Sequence, residues 1–119
     1  MKDMVDQLPG LERVRERFLT MLAERKERIA THALGAWEGE TLEEVNGNLA
    51  SAQAILHQIA GTAGSLGFAP LGQSAHACEN EIIAHLEGPD ADLAICPGEL
   101  IFFLDNFVGA CDALLESRD

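Results

Sequence analysis

Apolar residues recur along this chain at steps of three and four, the spacing of one face of a helix. The first series runs Leu11, Val14, Phe18, Leu22, Ile29, Ala33 and Trp37, interrupted in polarity only by Arg25. It predicts one long amphipathic helix whose outer face carries Glu12, Arg13, Glu16, Arg17, Glu24, Lys26 and Glu27. A second helix is announced by Thr41 and Glu44, three residues apart as in a capping box. Its seam is Val45, Leu49, Ala52, Leu56, Ile59, Ala63 and Leu66, alternating steps of four and three as helices in bundles do. It should close near Gly67, where glycine can adopt the left-handed conformation. A third helix opens at Pro70, follows Leu71, Ala75, Cys78, Ile82 and Leu86, and stops at Gly88-Pro89-Asp90. A fourth begins near Pro97 and uses Leu100, Phe103, Leu104, Phe107, Cys111, Leu114 and Leu115. No segment alternates with the two-residue period of a strand. Four helices joined by short turns predict an all-α, antiparallel up-and-down four-helix bundle. Pro9-Gly10 sets off a short N-terminal arm over residues 1–10, leaving 11–119 as a single domain.

The charge narrows the function. The 119 residues include 20 Asp and Glu against 8 Lys and Arg, a formal net charge of −12. Such a field repels phosphate backbones and anionic membrane surfaces, so neither nucleic acid nor membrane is an expected partner. No apolar run is long enough to span a bilayer, and the N-terminus has no signal-peptide character, so a cytoplasmic location is expected. Three cysteines, Cys78, Cys96 and Cys111, are an odd number without CxxC spacing. They read as reduced, partly buried thiols.

One stretch departs from good helix composition. Gly61 and Gly64 fall inside the second helix, each costing about 1 kcal/mol relative to alanine. His57 stands one residue past the seam position Leu56, so it flanks the core and reaches solvent. Ala60, Gly61 and Gly64 lie on its side of the helix and are all small. The imidazole therefore projects from a patch with little side-chain bulk, which a partner can approach closely. On the third helix His76 and Glu79 are three apart, beside the seam of Ala75, Cys78 and Ile82. Where these two flanks meet, Glu79 can accept a hydrogen bond from one ring nitrogen of His57. That bond would fix the tautomer, free the other nitrogen as a nucleophile and stabilise positive charge on the ring. His76 can join the same network. Whether the flanks meet depends on how the helices are rotated about their axes.

The stretch resembles the histidine-containing phosphotransfer (HPt) family of two-component signalling, above all the phosphotransfer domain of chemotaxis-type histidine kinases. The resemblance rests on His57 followed by Gly61 and Gly67, on Ala63-Gly64, on Phe68, and on His76-Ala77-Cys78-Glu79-Asn80. It implies a four-helix phosphoryl carrier. His57 matches the phosphoacceptor and Gly61 the glycine that admits the partner; Glu79 matches the carboxylate that orients the ring, with His76 a second member of that network. Ala60 is a departure, since the family usually has lysine there. The resemblance further implies response-regulator receiver domains and a sensor histidine kinase as partners. It implies no cofactor in this chain, a divalent metal ion being supplied by the receiver. The chain has no GxxxxGK[ST] loop, so it is not expected to phosphorylate itself from ATP. A monomer is the simplest expectation, and the Met1 start and polar end favour a free-standing shuttle over a piece of a larger kinase.

Two other readings compete. His57, His76, Glu79 and His85 offer nitrogen and oxygen ligands for a metal-binding bundle, but a single His-x-x-Glu lacks the repeated inward-facing Glu and Glu-x-x-His sets of di-iron bundles. His32 and His85 read as surface residues. Alternatively, a degenerate HPt-like protein docks a kinase or receiver and regulates it without phosphotransfer. Ala60 favours that alternative.

Overall fold

A computed structural model describes residues 10–118. The arm expected over residues 1–10 lies outside the described residues except for Gly10. Four helices follow in order: α1 (Leu11–Glu38), α2 (Leu42–Ala63), α3 (Ala69–Leu86) and α4 (Gly98–Glu116). They form an all-α four-helix bundle. Each helix packs against its two neighbours in a ring, α1 on α2, α2 on α3, α3 on α4 and α4 on α1. The antiparallel sense follows from the pairings. The side chains of Arg15 and His32 on α1 bond Leu66 and Asn48, in descending order along the α2 segment. Lys26 and Glu16 on α1 likewise pair with Asp112 and Arg118 at and beyond the end of α4.

The core is the meeting of four seams. Leu49, Ala52, Leu56, Ile59 and Ala63 of α2 are fully buried against Ala75 and Ile82 of α3, Leu22 and Ile29 of α1, and Leu104 and Phe107 of α4. The α2 seam is buried along its whole predicted length, because its alternating steps keep one stripe facing the partners over six turns.

Three predicted core positions are instead exposed. Val14 and Trp37 sit at opposite ends of α1, and Phe103 lies on α4. The buried residues of α1 are Phe18, Leu19, Leu22, Ile29 and Ala36, so Trp37 stands one residue, about 100° of helix, beyond the last of them. Its ring instead lines an apolar groove between α1 and α4 with Leu34, Ile101 and Val108. On α4 the stripe is Leu100, Leu104, Phe107 and Cys111, and Phe103 is one residue short of it.

The helix ends are set by local chemistry. Thr41 Oγ1 accepts the Glu44 backbone N–H at 3.1 Å, the first half of the expected capping box. The return arm is shifted: the Glu44 carboxylate accepts from the Thr41 hydroxyl and from the Glu40 backbone N–H. The α-helical part of α2 stops at Ala63 and tightens into a 3₁₀ turn over Gly64–Leu66. There Phe68 N–H bonds Ala63 C=O at 2.9 Å and Gly67 N–H bonds Gly64 C=O at 3.3 Å. Those two bonds, with Gly67 at φ +91°, constitute a Schellman closure. Arg15 Nε donates to the Leu66 carbonyl at 2.8 Å, and the Phe68 ring stacks on Phe18 with centroids 5.4 Å apart. Gly67→Ala is expected to cost about 1–2 kcal/mol, the penalty of a left-handed Cβ, as a lowered midpoint in urea unfolding. α3 opens at Ala69, one residue before the predicted Pro70, and Pro97 caps α4 rather than beginning it. Asn46 on α2 donates to Ala91 C=O at 2.8 Å and ties down the α3–α4 connection.

Cys78, Cys96 and Cys111 are buried free thiols. Burial, with a smaller push from Glu81 or Asp112, drives the Cys78 and Cys111 thiols up to about 12, and burial raises Cys96 as well. At neutral pH they are protonated and poor nucleophiles.

Candidate functional site

His57 and Glu79 occupy equivalent places on their helices. His57 is one residue past the buried Leu56, and Glu79 one residue past the buried Cys78. Because α2 and α3 are antiparallel neighbours, these flanks face each other. His57 Nδ1 lies 2.9 Å from Glu79 Oε2. A carboxylate oxygen only accepts, so Nδ1 is the donor, and in the neutral form of the ring the lone pair is on Nε2. The two groups differ sharply in exposure: the imidazole is 74% exposed and the Glu79 side chain 5%. Glu79 is the single buried charged residue among the described residues. The ring is thus anchored from beneath and open above.

A buried carboxylate needs donors. Glu79 receives a second one, which sequence reasoning missed: Gln53 Nε2 donates to the same Oε2 at 2.5 Å. The signal was available, since Gln53 stands one residue past the seam position Ala52 and one turn before His57. His76 is close but differently placed. Its Nδ1 is 3.8 Å from Glu79 Oε1, beyond hydrogen-bond distance, and the ring is largely exposed.

Internal packing does not require the two glycines beside His57, whereas Ala60 packs partly against the core. A Cβ at Gly61 or Gly64 would meet nothing within 4 Å. On α3 the buried glycine that faces α2 is Gly72, also unremarked in the sequence, where a Cβ would lie 3.4 Å from Ala63 Cβ and from the Gly64 backbone nitrogen. This contact of α3 with α2 brings Ala60, Gly64, Gly72, Gln73 and His76 around a shallow cavity of about 310 Å³ on the same side as His57. The surface beside the imidazole is therefore open, small and neutral.

Neither helix that carries the site contains a lysine or arginine. Every Lys and Arg lies at or before Arg28 or at Arg118, so α2 and α3 carry none. Ala60, where the resemblance expects lysine, is one instance of a wider absence. The remaining histidines stand apart. His32 Nδ1 is 2.9 Å from Asn48 Oδ1 in the α1–α2 contact. His85 is half-buried, and its Nε2 has no hydrogen-bond partner among the described residues. Both are less exposed than the surface positions expected for them. Among the described residues no three His, Cys, Asp or Glu side chains converge so as to hold a metal ion, and no helix is long and apolar enough to cross a membrane.

A four-helix bundle with a carboxylate-anchored, outward-facing histidine on its second helix describes a class of phosphoryl carriers. The family model of the Hpt domain matches residues 13–116, and the chain belongs to that family. No curated protein and no solved structure matches it. Hpt domains serve histidine phosphotransfer in two-component signalling, carrying phosphoryl groups rather than acting as kinases, and interact with receiver domains and kinases.

Proposed function

We propose that His57 is the phosphoacceptor of a phosphorelay, exchanging a phosphoryl group with the aspartate of receiver domains. The observation that carries this reading is the 2.9 Å contact between the exposed His57 ring and the buried Glu79 carboxylate. With Nδ1–H held by Glu79, Nε2 points its lone pair outward. It attacks phosphorus in line as the bond to the receiver's aspartyl oxygen breaks, and the aspartate leaves as carboxylate. The ring retains Nδ1–H and becomes cationic, and Glu79 stabilises that charge. The reverse step returns the group to another receiver. This chain supplies a positioned nucleophile. Because α2 and α3 provide no Lys or Arg, charge on the phosphoryl oxygens would have to be met from the receiver's side, by a divalent ion and cationic side chains there. A cytoplasmic monomer acting between a sensor kinase and receivers is the setting that fits this role.

Gly61 is where the receiver's backbone approaches. Its open surroundings separate structure from function: Gly61→Leu is expected to leave the unfolding midpoint unchanged or raised, by up to about 1 kcal/mol of helix propensity. The same variant should lose receiver binding and transfer. Equal loss of stability and transfer would show that Gly61 acts through the fold.

The test of the function is transfer from a panel of phosphorylated receiver domains, with the product checked for the acid lability and base stability of a phosphohistidine. A docking regulator without phosphotransfer is the second reading, and the absence of Lys and Arg from α2 and α3 favours it. Ala60→Lys discriminates between them. If transfer is native and limited by missing charge, the variant should accelerate it. A protein that only docks would remain unlabelled and bind its receiver as before.

A further inference from the structure

Glu79 Oε2 accepts two hydrogen bonds, and the one from Gln53 has no part in the mechanism above. Gln53 and His57 are four apart on α2, so both side chains lean over α3 from one flank. They converge on the same oxygen, at 2.5 Å from Gln53 Nε2 and 2.9 Å from His57 Nδ1. A glutamate carboxylate turns easily about its last torsion, and a competitor stands beside this one: His76 Nδ1 is 3.8 Å from Oε1. The Gln53 bond holds Oε2 toward α2 and against rotation toward His76. With Glu79 nearly out of solvent, water is a poor replacement for that donor.

We infer that Gln53 is a positioning residue for the phosphoacceptor, an inference that rests on His57 being that acceptor. By fixing the Glu79 carboxylate it holds His57 in the Nδ1–H tautomer with Nε2 unprotonated. A free imidazole side chain in water favours the opposite tautomer, which places the proton on the nitrogen that must attack. The preference therefore has to be imposed, and a rotationally free carboxylate imposes it less completely than one held from a second side. Gln53 itself touches neither the incoming phosphoryl group nor the receiver's aspartate.

The test compares the full chain with Gln53→Leu, which keeps the side-chain bulk, and Gln53→Glu, which keeps the shape and sets a second carboxylate against Glu79. The first readout is the ¹⁵N chemical-shift pattern of the His57 ring in the free protein at about pH 8, where an ordinary histidine is neutral. The native protein should show the Nδ1–H pattern, and both variants a shift toward Nε2–H. The second readout is single-turnover transfer from a phosphorylated receiver, expected to slow by about 3–10-fold, less than the loss of a direct partner of the histidine costs, because Gln53 acts through Glu79. Receiver affinity should not change, which a general loss of structure would not allow. A native tautomer pattern and a native rate in Gln53→Leu would overturn the inference. If the native chain accepts no phosphoryl group from any receiver, the phosphoacceptor reading falls. The tautomer comparison still decides by itself whether Gln53 sets the His57 ring.

Discussion

His57→Gln is expected to abolish phosphoryl uptake while leaving the bundle intact. Gln offers no ring nitrogen with a lone pair able to attack phosphorus, and no other histidine holds the same position. His76 is exposed but lacks the hydrogen bond to Glu79 that orients a ring. His32 is engaged with Asn48, and the Nε2 of His85 is buried. Because the His57 ring is 74% exposed and a Gln amide can still donate to Glu79, its replacement should move the unfolding free energy by no more than about 1 kcal/mol. The two measurements belong together: loss of label with an unchanged unfolding curve assigns the effect to chemistry. Retained label in this variant would remove His57 from the mechanism.

Glu79→Ala carries the second largest expected effect, a slowing of transfer by about 10-fold or more, in line with the loss of an outer-shell partner of a functional histidine. Two contributions are lost together. The ring is no longer held as the Nδ1–H tautomer, and the imidazolium formed on phosphorylation loses its counter-charge. Glu79→Gln separates them. Its amide oxygen can still accept from Nδ1–H, so tautomer control is kept and only the charge goes. The expected order of rates is native, then Glu79→Gln, then Glu79→Ala, measured as single-turnover transfer from one phosphorylated receiver. Equal rates in all three would make Glu79 a structural residue only.

Much of this arrangement can be traced to register. On α2 the residues one past the seam positions Ala52, Leu56, Ile59 and Ala63 are Gln53, His57, Ala60 and Gly64. On α3 those one past Leu71, Ala75 and Cys78 are Gly72, His76 and Glu79. These two flanks together build the site and its cavity. The sequence therefore places each side chain on its flank, because a heptad seam defines what lies beside it. It does not determine that flank meets flank. That depends on the rotation of each helix and on how closely the axes approach, and at the site Gly72 faces Ala63 and Gly64 across the α2–α3 contact. The seam puts Gln53 on the same flank but does not specify its importance, which lies in a hydrogen bond to another helix. The errors at Trp37 and Phe103 have the same origin. Each is an apolar residue adjacent to a core stripe, and steps of three and four do not tell the stripe from its neighbour when both are apolar.

The cation-free character of α2 and α3 bears on partner choice. An acceptor face without Lys or Arg leaves the charge of the incoming phosphoryl group to be met from the receiver's side, so receivers with a basic rim should transfer fastest and with the steepest salt dependence.

The central claim is that Nε2 of His57 forms the bond to phosphorus, because Glu79 occupies Nδ1. The most direct measurement is the NMR spectrum of the ¹⁵N-labelled chain after phosphorylation by a receiver, in which phosphorus coupling identifies the bonded ring nitrogen. The account predicts coupling at Nε2 of His57, with Nδ1 still protonated. Phosphorus on Nδ1 of His57, or on another histidine, would contradict it.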